Sequence, residues 1–123
     1  MIWGVGTDIL SIRRLSGILE SDSGFAESVY TPGELEIIRA RPAPIYCYAT
    51  RFAGKEAVFK ALRPDGNTRW REIEILSGPD GAPFVRLGGA AARHAAAHGV
   101  TKVEISLSYE DEYACAFAVA AMG

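Results

Sequence analysis

The segment Arg51-Phe52-Ala53-Gly54-Lys55-Glu56-Ala57-Val58-Phe59-Lys60-Ala61-Leu62 constrains this chain more than any other. It is patterned for a helix with one very small apolar face. At about 100° per residue Ala53, Ala57, Ala61, Gly54 and Val58 share an arc, while Arg51, Lys55, Glu56 and Lys60 fall outside it. One carboxylate and three cations then stand clear of the stripe, a surface suited to phosphate and a metal ion. Glu56 and Lys60 are i,i+4 neighbours, and on an isolated helix they would read as a solvated ion pair worth about 0.3–0.5 kcal/mol.

Two strand-like segments give that helix its context. In residues 1–8, Ile2, Gly4, Gly6 and Asp8 share one face, which places Asp8 at the end of a face cleared by glycine. Paired glycines in line with an acid point to close approach by a ligand or another backbone. Near the C-terminus, Glu104, Ser106 and Ser108 alternate with Val103, Ile105 and Leu107 in a strand over residues 102–109 that ends at Tyr109.

The rest of the chain supplies punctuation. Ser11 is placed to cap a helix that turns Ile12, Leu15, Ile18 and Leu19 inward and leaves Arg13 and Arg14 outside. Thr31-Pro32-Gly33-Glu34 has the spacing of a capping box with proline at the first helical position. Pro64-Asp65-Gly66 stops the main helix, expected from about Ile45 to Leu62. Strands are expected over 72–76 and 83–87 around the turn Gly78-Pro79-Asp80-Gly81, then a helix over 90–98 closed by Gly99, and a last strand over 113–121. His94 and His98 are i,i+4 but have no acid or thiol nearby in sequence, so they read as solvated surface residues rather than metal ligands.

This order of elements, closing in an antiparallel pair, predicts an α+β fold in which a small antiparallel sheet packs with one long central helix and shorter helices. At 123 residues and 49% hydrophobic content, residues 1–123 fit a single domain. Lys plus Arg number 13 against 15 Asp plus Glu, so there is no overall basic field to draw the chain to nucleic acid. Cys47 and Cys115 lack metal spacing and read as buried thiols of a reducing compartment. With neither a signal-like leader nor a membrane-length apolar run, the cytoplasm is the expected location.

Taken in order, Gly6-x-Asp8, the stretch from Phe25 through Thr31-Pro32-Gly33-Glu34-Leu35, the Arg51–Leu62 helix and Ile105-Ser106-Leu107-Ser108-Tyr109 resemble the holo-acyl-carrier-protein synthase branch of the 4′-phosphopantetheinyl transferase superfamily. The resemblance implies transfer of phosphopantetheine from coenzyme A to a serine of an apo acyl carrier protein in fatty-acid metabolism. It implies a homotrimer with sites at subunit interfaces, and Mg²⁺, or Mn²⁺, held by Asp8 and Glu56. Asp8, Glu56 and Lys60 become the catalytic group, and Arg51, Lys55, Lys60, Ser108 and Tyr109 the coenzyme contacts. Arg13 and Arg14 become a docking patch for an acidic carrier. The serine proton would pass to Glu56 or to a metal-bound water, with Glu34 as a supporting acid. One position departs: the family usually has histidine where this chain has Tyr109, which motivates the alternative of a paralogue that binds coenzyme A or carrier without efficient transfer.

Overall fold

The computed structural model describes residues 1–123. Strand β1 (Ile2–Ser11) leads through α1 (Ile12–Ser21), α2 (Phe25–Val29) and α3 (Pro32–Arg39) to the 19-residue helix α4 (Pro44–Leu62). A 3-10 turn (Trp70–Glu72) precedes β2 (Ile73–Ser77) and β3 (Pro83–Leu87), and the chain closes with α5 (Gly89–Ala97), β4 (Val100–Tyr109) and β5 (Tyr113–Met122). The strands form a three-stranded sheet in the order β1-β5-β4 and a separate β2-β3 hairpin, with every neighbouring pair antiparallel. The architecture is the α+β arrangement expected from the sequence.

Helix α4 lies on the inner face of the three-stranded sheet. The floor beneath it is made of Ala114, Ala116, Ala118 and Ala120 of β5, all buried, beside Gly4 and Gly6 of β1. A Cβ at Gly4 would overlap the carbonyl oxygen of Ala61, and one at Gly6 that of Ala57. The small residues therefore set the distance between helix and sheet, and Ala53, Ala57 and Ala61 are fully buried against that floor. β1 runs three residues past Asp8 instead of ending there, so Asp8 sits within the strand opposite Ala116.

The opposite side of α4 is covered too, by the β2-β3 hairpin and α3. This overturns the expectation that Lys55 stands outside the buried stripe. Its side chain is fully buried, its Nζ is 2.7 Å from Glu34 Oε1, and it donates to the carbonyls of Ile73 at 2.6 Å and Trp70 at 3.0 Å. Glu34 forms the expected capping box with Thr31 and also accepts from Ile75 N–H at 2.8 Å through Oε2. Burial pulls the Lys55 ammonium below its ordinary range, opposed by the facing carboxylate. All three ammonium protons thus have oxygen partners inside the protein, and Lys55 has none left for a coenzyme.

Smaller differences have equally local causes. Ser11 caps α1 by accepting from Arg14 N–H at 3.2 Å, as its position predicts. Cys47 is buried, but Cys115 falls on the exposed face of β5 and both thiols are free. His94 is half-buried rather than solvated: its Nε2 donates to the Leu62 carbonyl at 2.8 Å, closing the end of α4, and its ring meets Trp3 edge-on. No helix is long and apolar enough to cross a membrane.

Two stability measurements check this packing. Gly6→Ala should lower the unfolding free energy by at least about 2 kcal/mol through overpacking, whereas Gly17→Ala, in open space within α1, should raise it by about 0.5–1 kcal/mol; equal effects in a denaturant titration would contradict the helix-on-floor account. Lys55→Ala should cost about 3–5 kcal/mol by stranding Glu34. A lysine that served only a ligand would leave the unfolding curve unchanged.

Candidate active site

The glycine-cleared face of β1 brings Asp8 against the exposed end of α4. Asp8 is 9% exposed, and its Oδ1 is 3.3 Å from Lys60 Nζ, which also donates to the Thr7 carbonyl at 3.0 Å. The Glu56–Lys60 ion pair that an isolated helix would form is absent; the ammonium turns across to the strand instead. Asp8 Oδ2 is buried with no protein partner. A buried carboxylate oxygen left unpaired costs free energy unless something fills the position.

Glu56, one turn before Lys60, is the second acid of the cluster. Burial first, then the neighbouring Asp8 carboxylate, push the Glu56 carboxyl up to about 7, with Lys60 opposing. Two acids share one exposed ammonium here, and protonation of Glu56 would offset the surplus negative charge. A divalent cation would do the same. The donor set is hard oxygen, two carboxylates with one orphaned oxygen, which fits Mg²⁺ completing its shell with water and phosphate. His94 Nε2 is taken by the Leu62 carbonyl at 2.8 Å and His98 Nδ1 lies 3.0 Å from the His94 carbonyl.

Glu56 also opens onto an apolar groove of about 490 Å³ between α1 and β1, lined by Ile9, Leu15, Ile18 and Phe52 with Arg14 at its edge. Arg14 therefore joins the acid cluster along one surface. Arg13 is exposed on α1 but does not line the groove.

Arg51 lies two turns of α4 away on a different face. It is only 6% exposed, donates to Ser77 Oγ at 2.7 Å and leaves Nε without a partner, and no carboxylate pairs with it. A buried guanidinium with no counter-ion is rare and is suited to a planar anion with two acceptor oxygens. With Tyr109 it lines two hollows of about 330 Å³ and about 310 Å³. Arg41 and Tyr46 complete the first, and neither was marked by the sequence; the available signal was that Tyr46 precedes Thr50 by one helical turn.

The structure separates Ser108 from Tyr109. Adjacent residues of a strand face opposite ways, so Tyr109 shares the α4 side with Ile105 and Leu107 while Ser108 turns to the outer face beside Cys115. Glu34, bound to Lys55 and to backbone, is committed to the fold and has no oxygen free to assist Glu56.

Known proteins match this arrangement along its length. The family described as the 4′-phosphopantetheinyl transferase superfamily matches residues 4–118. A holo-[acyl-carrier-protein] synthase of Desulforudis audaxviator is 47% identical over 122 residues, covering 98% of this chain and 93% of that protein. The crystal structure of holo-[acyl-carrier-protein] synthase from Neisseria meningitidis superposes with a TM-score of 0.88 at 34% identity, covering 98% and 99% of the two chains. The Bacillus anthracis holo-(acyl-carrier-protein) synthase in complex with CoA (3′,5′-ADP) superposes with a TM-score of 0.82 at 25% identity, covering 100% and 99%. By sequence along nearly its full length, and by fold, this chain belongs to the holo-acyl-carrier-protein synthase branch of the 4′-phosphopantetheinyl transferase superfamily.

Proposed function

We propose that this protein transfers the 4′-phosphopantetheine group of coenzyme A to a serine hydroxyl of an apo acyl carrier protein and releases 3′,5′-ADP. The observation that carries the reading is the cluster of Asp8, Glu56 and Lys60, with an orphaned Asp8 oxygen and a Glu56 carboxyl that titrates near neutrality. In the transfer, the serine oxygen forms a bond to the β-phosphorus and the bond from that phosphorus to the bridging oxygen of 3′,5′-ADP breaks. The serine proton goes to Glu56 or to a water beside it. Lys60, more than half exposed and one turn away, neutralises the oxygen that departs. Asp8 and Glu56 are the residues that would hold Mg²⁺, or Mn²⁺, and the bound cation would supply charge neutralisation across the pyrophosphate.

Arg51 is the anchor for the coenzyme's phosphorylated nucleotide end, because its guanidinium is buried, unpaired by any acid and open to two hollows. The Arg14 edge of the apolar groove is the docking side for the acidic carrier, with Arg13 extending it outside the groove. The outer sheet face exposes Val5 at 55%, Ile9 at 68%, Tyr113 at 53% and Phe117 at 50%, an apolar patch that assembly into a trimer would cover. Ser108 lies on that face, so it would contribute to a neighbouring subunit's site. Tyr109 motivates the second reading, a coenzyme-binding protein without efficient transfer, since a phenol carries no positive charge near neutral pH. Fatty-acid synthesis in the cytoplasm is the setting this assignment implies.

Incubating the protein with apo carrier, coenzyme A and Mg²⁺ should add one phosphopantetheine mass to the carrier, read by intact-mass spectrometry. Coenzyme binding with no mass gain would establish the second reading. Asp8→Ala and Glu56→Ala should each lower the rate by about 100-fold or more, and Lys60→Ala should lower kcat more than it raises KM for coenzyme A.

Glu56 also makes a pH prediction for the cation-free protein. Its folded pKa of about 7 lies above the ordinary 4.5, so between those values the native state holds more proton than the unfolded chain. The stability it contributes is present below pH 4.5 and lost as pH rises through 7. The denaturation midpoint should fall from pH 5 to pH 8 more steeply in the unmodified protein than in Glu56→Gln, and Mg²⁺ should recover the loss at pH 8. Identical slopes, or no response to Mg²⁺, would remove Glu56 from the cation site.

A further inference from the structure

Tyr46 and Tyr109 come from opposite ends of the fold's chemistry, the first turn of α4 and the last residue of β4. Their rings are stacked with centroids 4.7 Å apart and planes 26° apart, the one parallel aromatic pair in the protein. The other aromatic contacts are tilted or edge-on. Tyr46 is half-buried and packs against the small cluster of Ile12, Leu15, Ala49 and Ala114, whereas Tyr109 is 55% exposed.

The stack borders the hollow that holds the unpaired Arg51 guanidinium, and Thr50 and Arg41 complete its polar wall. Tyr109 also lines the adjoining hollow that reaches Arg51 from the β4 side. It is therefore the partition between the two approaches to one buried cation. An exposed tyrosine at a strand terminus is free to take other χ1 rotamers. No hydrogen bond holds its hydroxyl, and its neighbour across the ladder is Ala114, whose methyl gives the ring little contact. The ring of Tyr46 supplies the missing restraint.

We propose that Tyr46 is a positioning residue for the nucleotide end of the coenzyme: by stacking on Tyr109 it fixes the phenol at the mouth of the Arg51 hollow. Resting on the transferase reading above, this assigns to a residue of α4 the job of orienting a side chain that lacks the charge of an imidazolium. Aromatic stacking is worth enough beyond buried area to shift an affinity by up to about tenfold. The ligand class is a purine nucleotide whose phosphate meets Arg51 and whose flat base can extend the two-ring stack.

The test is calorimetric binding of 3′,5′-ADP to the full-length protein and its variants, with carrier modification measured alongside. Tyr46→Ala should weaken 3′,5′-ADP binding about tenfold and raise KM for coenzyme A, with kcat and KM for the carrier nearly unchanged. Tyr46→Phe, which keeps the stack and loses only the hydroxyl, should bind as the unmodified protein does. The Tyr46→Ala/Tyr109→Ala pair should lose no more than the worse single variant, since either change breaks the same contact. A Tyr46→Ala protein that binds normally, a Tyr46→Phe protein as weak as Tyr46→Ala, or additive losses in the pair would each overturn the assignment. If the unmodified protein neither binds 3′,5′-ADP nor modifies carrier, the transferase reading itself fails and this inference with it; normal transfer with an indifferent Tyr46 sinks only the inference. Unfolding curves for both Tyr46 variants confirm that any loss arises in a folded protein.

Discussion

The contact between the α4 backbone and the glycine-alanine floor of the sheet governs everything else in the molecule. With Gly4 and Gly6 beneath Ala57 and Ala61, no side chain separates helix from strand. That closeness is what carries Asp8 to Lys60 and Glu56. Larger residues on the floor would lift the helix and open the 3.3 Å contact between Asp8 and Lys60. Small residues usually weaken strands; here their cost is offset by the dispersion contacts and register that close packing provides.

Two cations one turn apart on α4 show how burial decides between structure and chemistry. Lys55 is enclosed and finds a carboxylate and two carbonyls, so its charge is consumed in tying α4 to α3 and β2. Arg51 is nearly as buried but finds only a serine hydroxyl and keeps an unpartnered Nε. Buried charges are retained when they are paired or when a ligand completes them. Lys55 meets the first condition, and Arg51 does not meet it with any protein group, which is the ground of the anchoring role proposed for it.

The acid cluster follows the same logic at partial exposure. Asp8 and Glu56 cannot both be fully ionised at small cost, and Lys60 compensates only one of them. Burial and the Asp8 carboxylate raise the Glu56 carboxyl, and Asp8 Oδ2 has no protein partner. The acid cluster and the nearby apolar groove with Arg14 at its edge lie along one surface.

Much of this was readable from the residues alone. The small-residue stripe, the glycine-cleared face that carries Asp8, the Ser11 cap, the Thr31–Glu34 capping box and the α+β order follow from local rules of spacing and steric fit, which depend on neighbours in sequence. The fate of Lys55, the exposure of Cys115, the half-burial of His94 and the opposed directions of Ser108 and Tyr109 depended on what covers each face. A single-stripe reading assumes that a helix has one buried side, and α4 has two. Which acid meets Lys60, and that Tyr46 stacks on Tyr109 from 63 positions earlier in the chain, are long-range contacts; only the tertiary structure decided them, because no periodicity encodes a distance between elements that the fold alone brings together.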